Sequence, residues 1–257
     1  MSSFTITGIR TGIIRQGDDF VQALLNGIVQ SEAGSFHNGD VLVVAESAVA
    51  TAEGRIIDLG VIMPGQDAIR LGELYKIDPR LVEVVTAESD SIVGGIPGFL
   101  LCMKGGTLLP NAGVDASNAP PGCVVLLPED PDRSALRVRQ EIERCTGARV
   151  GVIIADSRTH AMRSGCSGVA IGCSGIPSVI DVRGREDLFG RKLEVTKQAI
   201  ADNIASAAEI VMGEADECTP AAVLRGLDIP IGDNEGIESI EADECLFMGV
   251  LVRKEKG

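Results

Sequence analysis

Apolar positions along the chain follow two periods. The runs Asp40-Val41-Leu42-Val43-Val44-Ala45 and Val150-Gly151-Val152-Ile153-Ile154-Ala155 are almost continuously apolar, which predicts buried strands. Phe4-Thr5-Ile6 predicts a first strand, and Cys123 to Leu127 another. Helical spacing recurs in Phe20, Leu24 and Ile28, in Ala135, Val138, Ile142 and Cys145, and in Ile200, Ile204, Ala208 and Val211. The helix ends carry the expected punctuation. Asp18 or Asp19 precedes the first helix as a cap, Asp130-Pro131-Asp132 opens the second and Gly147 stops it, and the third ends at Met212-Gly213-Glu214. Residues 64–88 read as largely helical, with a new start at Asp78-Pro79.

Strand, helix and strand from Cys123 to Asp156 resemble a βαβ unit, although spacing alone leaves the strand directions open. Gly94-Gly95-Ile96-Pro97-Gly98 predicts a weak boundary between two intimate subdomains. The expectation is an α+β fold with a mixed sheet, one domain across residues 1–257.

Composition narrows the function classes. The chain has no Trp, one Tyr and six Phe, so its core must be aliphatic and it lacks the aromatic platforms that stack nucleic-acid bases. A net charge of −14 opposes general binding to nucleic acid or anionic membranes. No apolar run reaches the roughly 18 residues of a membrane span, and no basic segment followed by an apolar one opens the chain, so a cytoplasmic protein is expected. Seven cysteines without CxxC spacing argue against a disulfide framework or a zinc ribbon. Cys166 and Cys173 lie near His160 in sequence, but small, reduced core residues are the preferred reading of the cysteines.

Candidate chemistry concentrates in two segments. Asn111-Ala112-Gly113-Val114-Asp115-Ala116-Ser117-Asn118 offers a carboxylate for a hard cation, carboxamides for a phosphate or ribose, and a glycine that admits close approach. The same residue types make ordinary turns. The strand ending on Asp156-Ser157 puts a carboxylate and a hydroxyl where α/β sheets hold ligands, and Asp115 and Asp156 are candidates to share one cation. Arg163, Arg183, Arg185 and Arg191 supply forked donors for phosphate or carboxylate, with surface ion pairing as the competing role.

NAGVDASN, LLPEDPDRSA, TGARVGVIIADS, VAIGCSGI, DLFGRKLEVT and VMGE occur in the same order as their counterparts in the coenzyme F420-0:L-glutamate ligases, the γ-glutamyl ligases of deazaflavin coenzyme synthesis. The chain resembles that family from Gly17-Asp18-Asp19 to Arg225-Gly226. The resemblance implies a homodimer that uses GTP as co-substrate to join L-glutamate to a deazaflavin precursor through an acyl phosphate. It implies Mg²⁺ or Mn²⁺, with a monovalent cation as a further candidate. Asp115, Asp156, Ser157 and Glu214 match metal ligands, Ser157 standing where Thr is usual. Thr11, Gly12, Ile13, Ile14, Glu46, Ser47, Asn118, Met212 and Gly213 fall on nucleotide-binding stretches. Asp115, Asp156 and Arg163 are the expected catalytic residues, and no nucleophilic side chain is needed.

Some positions depart from the family pattern. Thr51-Ala52-Glu53-Gly54 lacks a usual lysine, Thr159-His160-Ala161 replaces a usual Gly-Arg-Pro, and Asn203 stands for a usual Glu. These departures keep two alternatives open: a paralogue that ligates another acid or amine, or a binding protein without turnover.

Overall fold

The computed structural model of the chain describes residues 3–234 and 236–249. It divides into unit 1, Met1–Arg55 with Leu127–Ile237, and unit 2, Ile56–Leu126 with Glu238–Gly257. In unit 1, β1 (Thr5–Ile9) leads to α1 (Phe20–Gln30), and β2 (Val41–Ala45) runs into α2 (Glu46–Ala52). Unit 2 adds β3 (Ile56–Asp58), α3 (Gln66–Tyr75) and α4 (Pro79–Glu88). A three-stranded meander of β4 (Ser91–Ile96), β5 (Phe99–Lys104) and β6 (Thr107–Pro110) precedes β7 (Cys123–Val125). Unit 1 resumes with α5 (Pro131–Thr146), β8 (Gly151–Thr159), β9 (Cys166–Ser174), β10 (Val179–Asp181) and β11 (Lys197–Ala199). It finishes with α6 (Ile200–Met212) and β12 (Ala221–Arg225).

The sheet of unit 1 has the order β1-β12-β2-β8-β9. Only β2 and β8 are parallel, with Val41 opposite Gly151, and the other three pairings are antiparallel, so the sheet is mixed as expected. Both continuous apolar runs lie inside it, and their alternation explains why they need no polar face. Leu42, Val44, Val152 and Ile154 pack with Leu24 and Ile28 of α1 and Val138 and Ile142 of α5. Val41, Val43 and Ile153 pack on the other face with Ile204, Ala205 and Ala208 of α6. Full burial of each such aliphatic side chain contributes about 1.5–3 kcal/mol.

Small residues set how close α6 comes. At Gly168 of β9 a Cβ would stand 2.5 Å from the carbonyl carbon of Ala205, so any side chain there collides with helix backbone. Helix starts follow the polar punctuation. Asp19, Asp78 and Asp130 accept from the backbone N–H groups of Gln22, Arg80 and Arg133, and Gly147 closes α5 at φ 73. Unit 2 has its own core, with Val82 and Val85 of α4 against Leu100, Cys102 and Val124.

Three expectations are corrected. β7 does not pair in the sheet of β8; it pairs antiparallel with β3, and the parallel partner of β8 is β2. β7 stops three residues short of Pro128, which has no N–H to extend a ladder. Residues 94–98 form the β4–β5 hairpin inside unit 2, where Gly95 leaves room for the Phe99 carbonyl and the Tyr75 ring, and the units change at Ile56 and Leu127. Of the seven cysteines, all free thiols, only Cys102 and Cys173 are buried, while Cys145 and Cys166 are exposed. Among the described residues no helix is long and apolar enough to cross a membrane.

Candidate functional site

The strand directions bring four loops to one edge of the unit 1 sheet. β1, β2 and β8 all point toward that edge, and β12 starts from it. Thr11 to Ile14 therefore follow β1 there, Glu46 and Ser47 open α2 directly after β2, Asp156 and Ser157 lie in the last part of β8, and Met212-Gly213-Glu214 lead toward β12. Backbone bonds stitch these loops together. Thr11 N–H donates to the Cys218 carbonyl at 3.1 Å, and Ala45 N–H donates to the Pro220 carbonyl at 2.8 Å. This is the edge where α/β sheets bind ligands, because strand ends present side chains and unpaired backbone groups together.

Acidic groups gather on the β8 side of this edge. The Ser157 hydroxyl donates to the Glu214 carboxylate at 3.1 Å. Asp156 pairs with Arg158 at 2.6 Å, and both side chains are largely buried. A third acid was not anticipated: Glu209, in the last turn of α6, accepts from the Gly168 backbone N–H. Burial first, and then the charges of Glu214 and Asp156, push its carboxyl up to about 7. Arg158 was not anticipated either. Its signal was its position two residues after Asp156, which puts both on one face of a strand. Glu209 gave no such signal, because an acid one turn before a helix end is ordinarily solvated.

These donors are oxygens, which suits a hard divalent cation better than a soft one. Among the described residues no three His, Cys, Asp or Glu side chains form a group that would hold a metal ion on its own. Mg²⁺ does not need one, since it commonly takes one or two carboxylates and completes its shell with water and substrate phosphates. The His160 and cysteine combination is not formed as a metal group; His160 Nε2 instead meets the Ser167 hydroxyl at 2.6 Å. Arg163 is exposed in the β8–β9 loop, and its side chain has no partner among the described residues. Arg183 pairs with Asp181, the surface role weighed for it.

Asp115 and Asn118 belong to unit 2. Asp115 bridges Val125 through two backbone bonds, of 3.0 and 2.8 Å, and its carboxylate accepts from the Ser117 N–H and hydroxyl. That is an Asx turn, and it leaves the side chain exposed. Asn111, Ala112, Gly113 and Asn118 all have positive φ, so the NAGVDASN run combines the turn and the carboxylate display that its composition left as alternatives. Asn111 is structural. Its buried side-chain oxygen accepts from the Leu100 N–H at 2.9 Å.

Residues 8–226 match the family model described as F420-0:Gamma-glutamyl ligase. The chain is 46% identical over 224 residues to the coenzyme F420:L-glutamate ligase of Methanopyrus kandleri, covering 87% of this chain and 86% of the relative. It is 44% identical to the enzyme of that name from Methanocaldococcus jannaschii, covering 80% and 83%. With the one from Archaeoglobus fulgidus the identity is 40%, covering 84% and 85%.

Proposed function

From the premise that the chain belongs to the F420-0:gamma-glutamyl ligase family, we propose that it joins L-glutamate to the carboxylate of a deazaflavin coenzyme precursor at the expense of GTP. The carrying observation is the gathering of the β1, β2, β8 and β12 loops on one sheet edge, with the Ser157–Glu214 bond beside Asp156. In this reading the acceptor carboxylate takes the γ-phosphoryl group, which gives an acyl phosphate and GDP. The amine of glutamate then attacks the acyl carbon, phosphate leaves, and an amide remains. A bound Mg²⁺ or Mn²⁺ supplies charge neutralisation for the phosphates.

The chain's own groups have defined tasks. Asp156 and Glu214 offer carboxylate ligands, and Ser157 orients Glu214. Arg158 holds the Asp156 carboxylate in place, a positioning role. The backbone N–H groups of Gly12 to Ile14 and the start of α2 face the nucleotide, while Arg163, exposed and with no side-chain partner among the described residues, serves the transferring phosphoryl group. The roles of Asp115 and Asn118, the homodimer and a monovalent cation rest on the resemblance alone.

The test is mass spectrometry of products formed from GTP or ATP, Mg²⁺ or Mn²⁺, L-glutamate and a panel of carboxylate acceptors that includes the deazaflavin precursor. A mass increase of one glutamyl residue on that precursor is expected. Addition only to another acceptor would establish the paralogue reading that the Thr51 and Thr159-His160-Ala161 departures favour. In parallel, Asp156→Asn and Glu214→Gln are expected to weaken metal-dependent nucleotide binding at least tenfold, and parent-like binding in both would remove the metal assignment.

A further inference from the structure

The DLFGRKLEVT segment takes no part in the site at the sheet edge. It forms an arm between β10 and β11. Their pairing, with Val179 opposite Ala199, continues outward as Gly184 N–H donates to the Leu193 carbonyl and Asp187 N–H to the Arg191 carbonyl, both at 2.8 Å. The Asp187 carboxylate accepts from the Phe189 and Arg191 N–H groups at 2.8 and 2.9 Å, which holds the tip in one shape. That shape puts apolar side chains in water: Leu188 is 98% exposed and Phe189 87%. Adjacent apolar side chains held out on a hydrogen-bonded turn and rimmed by charge form a contact surface. Charge selects what covers it. Residues 183–192 hold four cations and two acids in a chain of net charge −14. Arg183 pairs with Asp181, whereas the side chains of Arg185, Arg191 and Lys192 have no partner among the described residues.

The complementary surface is the acidic edge of the unit 1 sheet. There Asp156, Glu209 and Glu214 are bordered by exposed apolar side chains, Met162 in the β8–β9 loop and Ile210 and Val211 in the last turn of α6. The arm does not cover this edge in its own chain. Its root adjoins the start of α6, where Ala201 N–H donates to the Ser178 carbonyl, and the acids stand at the other end, about 18 Å along the helix. A second copy is placed to do so, because a two-fold axis crossing α6 sets the arm root of one copy level with the acids of the other and makes the contact twice. We infer that the arm of each copy closes over the acidic edge of a second copy, seating Leu188 and Phe189 beside Met162 and Ile210, and that Arg191 donates in trans to anionic oxygens of the substrates held there. The role of Arg191 rests on the proposed ligase site, whereas the docking of the arm does not. A guanidinium suits the place because its fork meets two oxygens of a phosphoryl or carboxylate group. The edge needs one, since Arg158 is committed to Asp156.

Docking is read by cross-linking, without turnover. The full chain carrying Phe189→benzoylphenylalanine is irradiated at micromolar concentration, and the linked peptides are identified by mass spectrometry. A product of twice the chain mass, linked to peptides that contain Met162 or Ile210, is expected. Products of single-chain mass only, or links to other segments, would overturn the docking. The role in trans is read by complementation. Arg191→Ala and Asp156→Asn are each expected to lower glutamyl transfer about a hundredfold. The mixed dimer of the two, co-expressed and isolated through two different affinity tags, is expected to regain about half of the parent rate, because it keeps one complete site of two. Parent-like transfer by Arg191→Ala, or no recovery in the mixed dimer, would overturn the contribution of Arg191 in trans. A parent that cross-links as expected but transfers no glutamate to any acceptor would overturn the ligase reading and leave the docking standing.

Discussion

Glu209 is the residue whose titration the site perturbs most usefully. Its carboxyl sits near 7 instead of the ordinary 4.5 because burial, and then the charges of Glu214 and Asp156, penalise its ionised form. Without divalent metal the native chain therefore binds this proton more tightly than the unfolded chain does. Stability contributed by the protonated form is complete below about pH 4.5 and is lost as pH rises toward 7. Glu209→Gln removes the ionisation, so its stability relative to the parent should rise from pH 5 to pH 8, as read by urea midpoints in the presence of a chelator. A constant difference between the two proteins would show that Glu209 titrates normally. Burial acts the other way on reactivity at Cys173, whose thiol burial and the charge of Asp132 push up to about 12. Native alkylation with iodoacetamide should therefore label exposed Cys145 and Cys166 and spare Cys173.

At the level of elements, the packing of α6 on β9 is what delivers Glu209 and Glu214 to the sheet edge. Gly168→Ala puts a methyl into the Ala205 backbone and forces the helix outward. A loss of about 1–3 kcal/mol is expected, measured by denaturant unfolding, together with weaker metal-dependent nucleotide binding. Unchanged stability would mean that α6 yields without cost. The sequence made the strands and helices of this layer legible because burial on both faces leaves a continuous apolar run, and because Asp19, Asp130 and Gly147 mark ends through local hydrogen bonds. It did not reveal the partner of β7, since three-residue strands carry too little pattern to choose between ladders. Motif order nominates Asp156, Ser157 and Glu214 as candidates, whereas the places of Arg158 and Glu209 beside them depend on a strand face and a helix docking that appear only after folding.

For the whole molecule, the pairing of Asp40 with Arg225 joins residues from opposite ends of unit 1. Asp40 is 1% exposed, and its carboxylate accepts from Arg225 at 2.9 and 2.8 Å and from the His37 N–H at 2.8 Å. Asp40→Ala leaves the guanidinium without its buried partner and is expected to cost about 3–5 kcal/mol, visible as a lower urea midpoint with an unchanged slope. The same arrangement has a consequence in time. β12 lies between β1 and β2, which both leave the ribosome long before it, so the gap between them stays open for on the order of tens of seconds while the intervening residues are synthesised. Until Ala221 to Arg225 arrive, two apolar strand edges wait unpaired, each able to recruit a neighbouring nascent chain. Slow translation late in the message would then lower the yield of native protein, whereas the same pause near the start would not.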